Sequence, residues 1–150
     1  MKFIKASTII AAVLSICGAV LVAAPSASAT SSGGSCVGQL ISASNVIETQ
    51  GNADGTVLGY LNVYWDSSTG ENCAVLNSAS SDWGTLKWMS VDIFEVGNPY
   101  NDKSDNYYYK YYAGPVSVPG AGRCIDADAL ISIANGNLPI SGNVSVGPFC

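Results

Sequence analysis

From Gln39 onward the chain is built of apolar runs of strand length, each closed by a cluster of Gly, Asn, Asp and Ser. Nowhere does a 3.6-residue apolar period persist with helix caps, so helix is disfavoured and strand is left as the repeating element. The runs are Gln39 to Gln50, Thr56 to Trp65, Asn72 to Asn77, Leu86 to Val96 and Tyr107 to Ala113, with shorter ones at Arg123 to Ile125 and Val144 to Val146. The first two flank Gly51-Asn52-Ala53-Asp54-Gly55 and read as a β-hairpin. Ala129 to Ala134 is ambiguous between a helical turn and a strand, and Gly97 to Asn106 is polar enough to read as a surface loop. The expectation is an all-β domain: six to eight short antiparallel strands in a sandwich or a partly open barrel. No internal repeat or second domain is visible.

The N-terminus has a different character. Lys2 and Lys5 precede an apolar stretch from Ile9 to Ala24, and Ala27-Ser28-Ala29 offers a small-x-small cleavage site. Residues 1–29 therefore read as a signal peptide cleaved after Ala29. The stretch is short for a bilayer span and ends at Pro25, and Ile16 before Cys17 departs from a lipoprotein site. Thr30 to Ser35 has nothing to bury and reads as a flexible tail, which leaves residues 36–150 as one domain. Cleavage removes two of six basic residues and none of the eleven acidic ones, so the formal charge moves from −5 to −7. Such a chain disfavours nucleic acid and, once cleaved, an anionic membrane surface.

Four cysteines remain: Cys36, Cys73, Cys124 and Cys150. An even number in a small exported domain, with no C-x-x-C pair, indicates two disulfides rather than a metal site or a nucleophile. Of the three connectivities, Cys36–Cys73 with Cys124–Cys150 joins chain neighbours and staples each loose end.

The chain has no histidine. Ser-His-Asp and Cys-His catalysis and histidine metal sites are thereby excluded. No G-x-S-x-G, phosphate-binding loop or dinucleotide fingerprint occurs. Asp126 and Asp128 are two apart, Asp92 is near Glu95, and Asp54 sits in the hairpin turn, but no spacing defines a glycosidase pair. Asn98, Asn101, Asp102, Asp105 and Asn106 are hard oxygen donors of the kind calcium uses, without EF-hand spacing; turn chemistry explains the same composition. The expectation is a non-enzymatic chain with no cofactor and no metal.

The most unusual stretch is Tyr107-Tyr108-Tyr109-Lys110-Tyr111-Tyr112. On a continuous strand Tyr107, Tyr109 and Tyr111 share one face, and Tyr108 and Tyr112 the other. The commoner use of such rings is to fill a thin core. The alternative is an exposed platform that stacks on sugar rings, to which Trp65, Trp83 and Trp88 would contribute.

Tyr111-Tyr112-Ala113-Gly114-Pro115-Val116, followed by Gly122-Arg123-Cys124-Ile125, resembles the YYAGPV and GKCV signature of the spore-associated protein A-like family. Gly59-Tyr60-Leu61, Tyr64 and Thr69-Gly70-Glu71-Asn72-Cys73-Ala74-Val75 are similar to that family's upstream stretch, and Cys150 to its closing cysteine. The Ile125-Asp126-Ala127-Asp128 segment departs from the family's aromatic and glycines. The resemblance implies a small exported, disulfide-linked protein of spores, cell surface or medium, with no activity or active-site residues to carry over. Three functions are thus expected in order: a structural or adhesive surface protein whose partner is a cell-wall or spore-surface polysaccharide or protein, a carbohydrate-binding module using the Tyr/Trp face, and a small protease inhibitor presenting the Gly97 to Asn106 loop.

Overall fold

The structure is a computed structural model that describes residues 33–51, 55–134 and 139–150. The leader expected over Met1 to Ala29, and Asp54 of the first turn, lie outside the described residues. The chain is all-β. Eight strands follow in order: β1 (Gln39–Gln50), β2 (Val57–Asp66), β3 (Glu71–Ser78), β4 (Lys87–Glu95), β5 (Asn98–Tyr109), β6 (Tyr112–Pro119), β7 (Ile125–Ile133) and β8 (Ile140–Phe149), with one 3-10 turn at Ser80–Asp82. They form one antiparallel sheet in the order β5-β4-β7-β8-β1-β2-β3-β6, curled into a nearly closed barrel.

Strict alternation places the core. On β4, Lys87, Met89, Val91 and Ile93 point inward and are buried, while Trp88, Ser90, Asp92 and Phe94 point outward. On β7, Ile125, Ala127, Ala129, Ile131 and Ile133 fill the interior. Leu61, Val63, Ala74, Leu76, Ala113 and Val118 complete it from the other side. Alanines set among large branched side chains match the narrow lumen of an eight-stranded barrel, which side chains alone can fill. Each fully buried Leu, Ile or Val contributes about 1.5–3 kcal/mol.

The barrel is interrupted twice. Between β5 and β6 no ladder forms; Asp105 accepts the Gly114 N–H at 2.7 Å and the Asn101 amide donates to the Pro119 carbonyl at 3.4 Å instead. Between β1 and β8 pairing is confined to Ile47↔Asn143, Glu48↔Gly142 and Gln50↔Ser141. Gly142 lets the strands meet there, since a Cβ would collide with the Ile47 carbonyl. Beyond Ile47 and Asn143 no pairing joins residues 39–46 of β1 to residues 144–149 of β8.

Both expected disulfides are present, Cys36–Cys73 and Cys124–Cys150, toward the end of the barrel where β1 begins and β8 ends. The first holds the segment from Gly33 to Gly38 across the outer face of the sheet. Gly34, expected in a tail with nothing to bury, lies against Val75 and Tyr112, and its carbonyl accepts from the Asn77 amide at 3.2 Å. Val75 points outward from β3 and is nevertheless fully buried beneath this segment.

Three sequence readings need correction, and one ambiguity is resolved. Gly97 to Asn106 is not a loop: from Asn98 it is the first part of β5, paired along β4. Tyr107 to Ala113 is not one strand, because the chain bends at Lys110-Tyr111 between β5 and β6. The short strands near Arg123 and Val144 are the nine- and ten-residue β7 and β8. Ala129 to Ala134 is strand as far as Ile133. Propensity understated these segments because β5 is a polar edge strand whose hydrogen bonding to β4 decides its conformation.

Candidate binding surface

The two ends of the barrel differ in chemistry. At one end the 3-10 turn, the start of β4 and the bend between β5 and β6 come together. Lys87 builds this end from inside: its buried ammonium donates to the Asp82 carbonyl at 2.7 Å and the Lys110 carbonyl at 3.3 Å. Burial pushes the ammonium below its usual range, with nearby Asp82 acting in the opposite direction. Backbone bonds from Gly84 N–H to Lys110 O at 3.0 Å and from Ser78 N–H to Tyr111 O at 2.9 Å fix the bend.

Aromatic rings ride on that frame. Trp88 and Tyr108 are directly opposed across β4 and β5 and meet edge to face, 5.3 Å between centroids. Tyr107 stands 6.1 Å from Tyr108 in a second edge contact. Trp83 packs on Tyr111 at 5.1 Å. Tyr107 is 64% exposed and Tyr108 57%, and Leu86 beside them is equally open at 57%. Of the eight aromatics singled out in the sequence, five therefore lie at one end as a part-exposed rim of two ring groups, Trp88-Tyr108-Tyr107 and Trp83-Tyr111.

The remaining three go elsewhere. Tyr109 faces the interior, packs on the core and donates its hydroxyl to Asp105. That hydrogen bond, then burial and the Asp105 charge, pushes its phenol up to about 12. Tyr112 lies on the outer face beside Gly34. Trp65 is at the opposite end. The single-face grouping of Tyr107, Tyr109 and Tyr111 fails at Tyr111 because the bend breaks the strand before it.

That opposite end holds a cleft of about 420 Å³ lined by Ile41, Trp65, Asn72, Gly120, Arg123 and Phe149 among others. Sequence reading missed it. Arg123 is ion-paired with Glu95. Glu95 also accepts from the amides of Asn101 at 3.0 Å and Asn98 at 2.9 Å; these bonds, Asn101's first, and then Arg123 hold its carboxyl below the usual range.

The oxygen donors noted for calcium are spread along β5, and three of them are otherwise engaged: Asn98 and Asn101 on Glu95, Asp105 on Tyr109 and Gly114. Asp126 and Asp128 do share the outer face of β7, with Asp128 directly opposite Asp92. Burial, and then the charges of Asp102 and Asp128, raise the Asp92 carboxyl, against a lowering hydrogen bond from Ser90. Among the described residues no three acidic or cysteine side chains converge as a metal site. The reactive loop that a protease inhibitor would need at residues 97–106 is the paired strand β5.

Compared with protein-family models, with curated proteins and with solved structures, the chain finds no match in any of the three.

Proposed function

We propose that this chain is a non-catalytic exported domain that adheres to a cell-wall or spore-surface polysaccharide through the rim formed by Trp83, Trp88, Tyr107, Tyr108 and Tyr111. The carrying observation is that two groups of packed, part-exposed rings, Trp88-Tyr108-Tyr107 and Trp83-Tyr111, stand at one end of the barrel. Exposed apolar surface on a small domain is a mark of binding, and flat rings held in fixed mutual orientation offer stacking faces to pyranose rings with little conformational entropy to lose. The rim holds Lys110 and Asp82 but no cluster of one sign, which suits a neutral ligand. Export is supported by the two disulfides, which belong to an oxidising compartment, and no helix among the described residues is long and apolar enough to cross a membrane. The resemblance to spore-associated protein A-like proteins points the same way.

Co-sedimentation with insoluble peptidoglycan, chitin and cellulose tests the reading. Tyr107 and Tyr108 are exposed, so a Tyr107→Ala/Tyr108→Ala variant keeps the fold, as a circular dichroism melt checks. At least a tenfold loss of retention on one of the three matrices is expected. Equal retention of wild type and variant on all of them would defeat it. Cell fractionation tests the location: the protein is expected in envelope or medium, and its absence from both would refute export.

A further inference from the structure

The gap between β1 and β8 is an edge that the fold leaves open. Residues 39–46 of β1 pair with β2 on one side only, and residues 144–149 of β8 pair only with β7. Among the described residues no backbone group closes the space between them. An unpaired strand edge is a template for another strand, and folded proteins usually blunt it with charge, proline or covering structure.

The other seam is blunted in that way. On β5 stand Asp102, Lys103 and Asp105, on β6 Pro115 and Pro119, and side chains of Asn101 and Asp105 bridge across. On β8 the open half carries Pro148, which has no N–H. The open half of β1, Gln-Leu-Ile-Ser-Ala-Ser-Asn-Val, has neither charge nor proline, and it is exposed along most of its length. A bulge at Ile41 turns that side chain to the cleft, where Trp65 and Phe149 form apolar walls. A second copy of this acidic chain would bring like charge to this edge.

Charge narrows the occupant. Asp66, Glu71 and Asp126 stand on the strands around the mouth, Arg123 is already neutralised by Glu95, and the domain as a whole carries excess negative charge. We infer that this gap takes an extended, net-basic peptide segment of another protein, which adds a strand to β1 and places a large apolar side chain in the Trp65–Phe149 cleft. Backbone bonding to β1 supplies the docking and the cleft supplies selectivity, while the acidic surround favours a basic partner. This site is at the opposite end of the barrel from the aromatic rim and does not depend on it.

A phage-displayed library of linear heptapeptides, selected on the oxidised protein, tests the inference. Enriched peptides are expected to alternate apolar residues, to avoid interior proline and to carry Lys or Arg. The best peptide, synthesised, is expected to bind at least tenfold more weakly when alternate backbone nitrogens are methylated, a change that leaves the protein untouched. It is also expected to bind at least tenfold more weakly to an Ile41→Lys variant, whose substituted side chain is exposed and so spares the fold. Absence of enrichment, indifference to N-methylation, or binding that survives Ile41→Lys and is lost in Tyr107→Ala/Tyr108→Ala would each overturn it.

Discussion

Asp105 on β5 receives the backbone N–H of Gly114 on β6 at 2.7 Å, so a side chain closes the barrel where no strand ladder does. Its second oxygen accepts the Tyr109 hydroxyl, which orients the carboxylate and anchors the one tyrosine of the run that enters the core. A single acidic residue thus joins the seam to the packing beneath it.

Asp105→Ala should lower stability by about 1–3 kcal/mol, because a part-buried N–H and a part-buried hydroxyl both lose their acceptor. Urea denaturation checks the size. The alkaline limb checks the cause. Tyr109 is raised from 10.0 to about 12, so the neutral phenol is favoured in the folded state. Its contribution is complete below about pH 10 and is lost as pH rises toward 12. Tyr109→Phe should flatten stability over that window, and the last tyrosine transition in a 295 nm titration should disappear. A Tyr109→Phe protein that still shows a transition near 12 would remove this assignment.

Asp92 and Asp128 face one another across β4 and β7 on the outer surface. Like charges in directly opposed positions destabilise a sheet, and burial with Asp102 and Asp128 raises the Asp92 carboxyl above its ordinary 3.8. The protonated form is therefore favoured on folding: the benefit is whole below about pH 4 and vanishes as pH rises through the raised value. Asp92→Asn keeps the shape without the charge. It should stabilise the domain by about 0.5–1 kcal/mol at neutral pH and by nothing near pH 3. Paired urea titrations at the two pH values decide it; an equal gain at both would mean that charge is not the cause.

The parts of this fold that could be read in the sequence are those whose signal is local. The first hairpin was announced by the glycine-rich cluster from Gly51 to Gly55, and the disulfide pairing by joining cysteines that are neighbours along the chain, so that each pair staples one loose end. β5 was not readable, because Asn98 to Asn106 has the polar composition of a guarded edge, which looks like a loop until β4 lies beside it. The bend at Lys110-Tyr111 carries no Gly, Pro, Asn or Asp; it is made by bonds from Lys87 on β4, Ser78 on β3 and Gly84 in the turn between them. The aromatic rim was half readable for the same reason: the rings were evident, but the bend decides which of them gather. The cleft at Trp65 left no local trace at all. Its walls come from β1, β2, β3, the segment before β7 and the end of β8, which meet only in the folded barrel.

Lys87 is the largest fully buried side chain of the barrel. Lys87→Met preserves most of its volume and removes two hydrogen bonds, yet Thr85 N–H at 3.1 Å and Gly84 N–H at 3.0 Å still satisfy the Asp82 and Lys110 carbonyls. The expected cost is therefore about 1–2 kcal/mol, and Lys87→Ala, which adds a cavity, should cost more. Reductive methylation of the native protein, followed by peptide mass spectrometry, provides a second check. Lys103 and Lys110 are exposed and should be fully modified, while Lys87 should react only after denaturation. Native modification of Lys87 to the same extent would contradict its burial.

The Cys36–Cys73 bridge does more than close a loop of 37 residues. It holds Gly34 over Val75, an outward-pointing residue that would otherwise leave apolar surface in water, and sets the Gly34 carbonyl on the Asn77 amide. Chain entropy alone predicts a loss of about 3–4 kcal/mol when either bridge is replaced by a serine pair. Cys36→Ser/Cys73→Ser should exceed Cys124→Ser/Cys150→Ser, because it also uncovers Val75 and part of Tyr112. The distinction is visible in hydrogen exchange and dye binding. With the first bridge removed, residues 72–77 of β3 should lose protection and a hydrophobic dye should bind the outer face, while β7 keeps its protection. Equal losses from the two variants, with β3 protection intact, would reduce the bridge to a tether and the covering segment to a passenger.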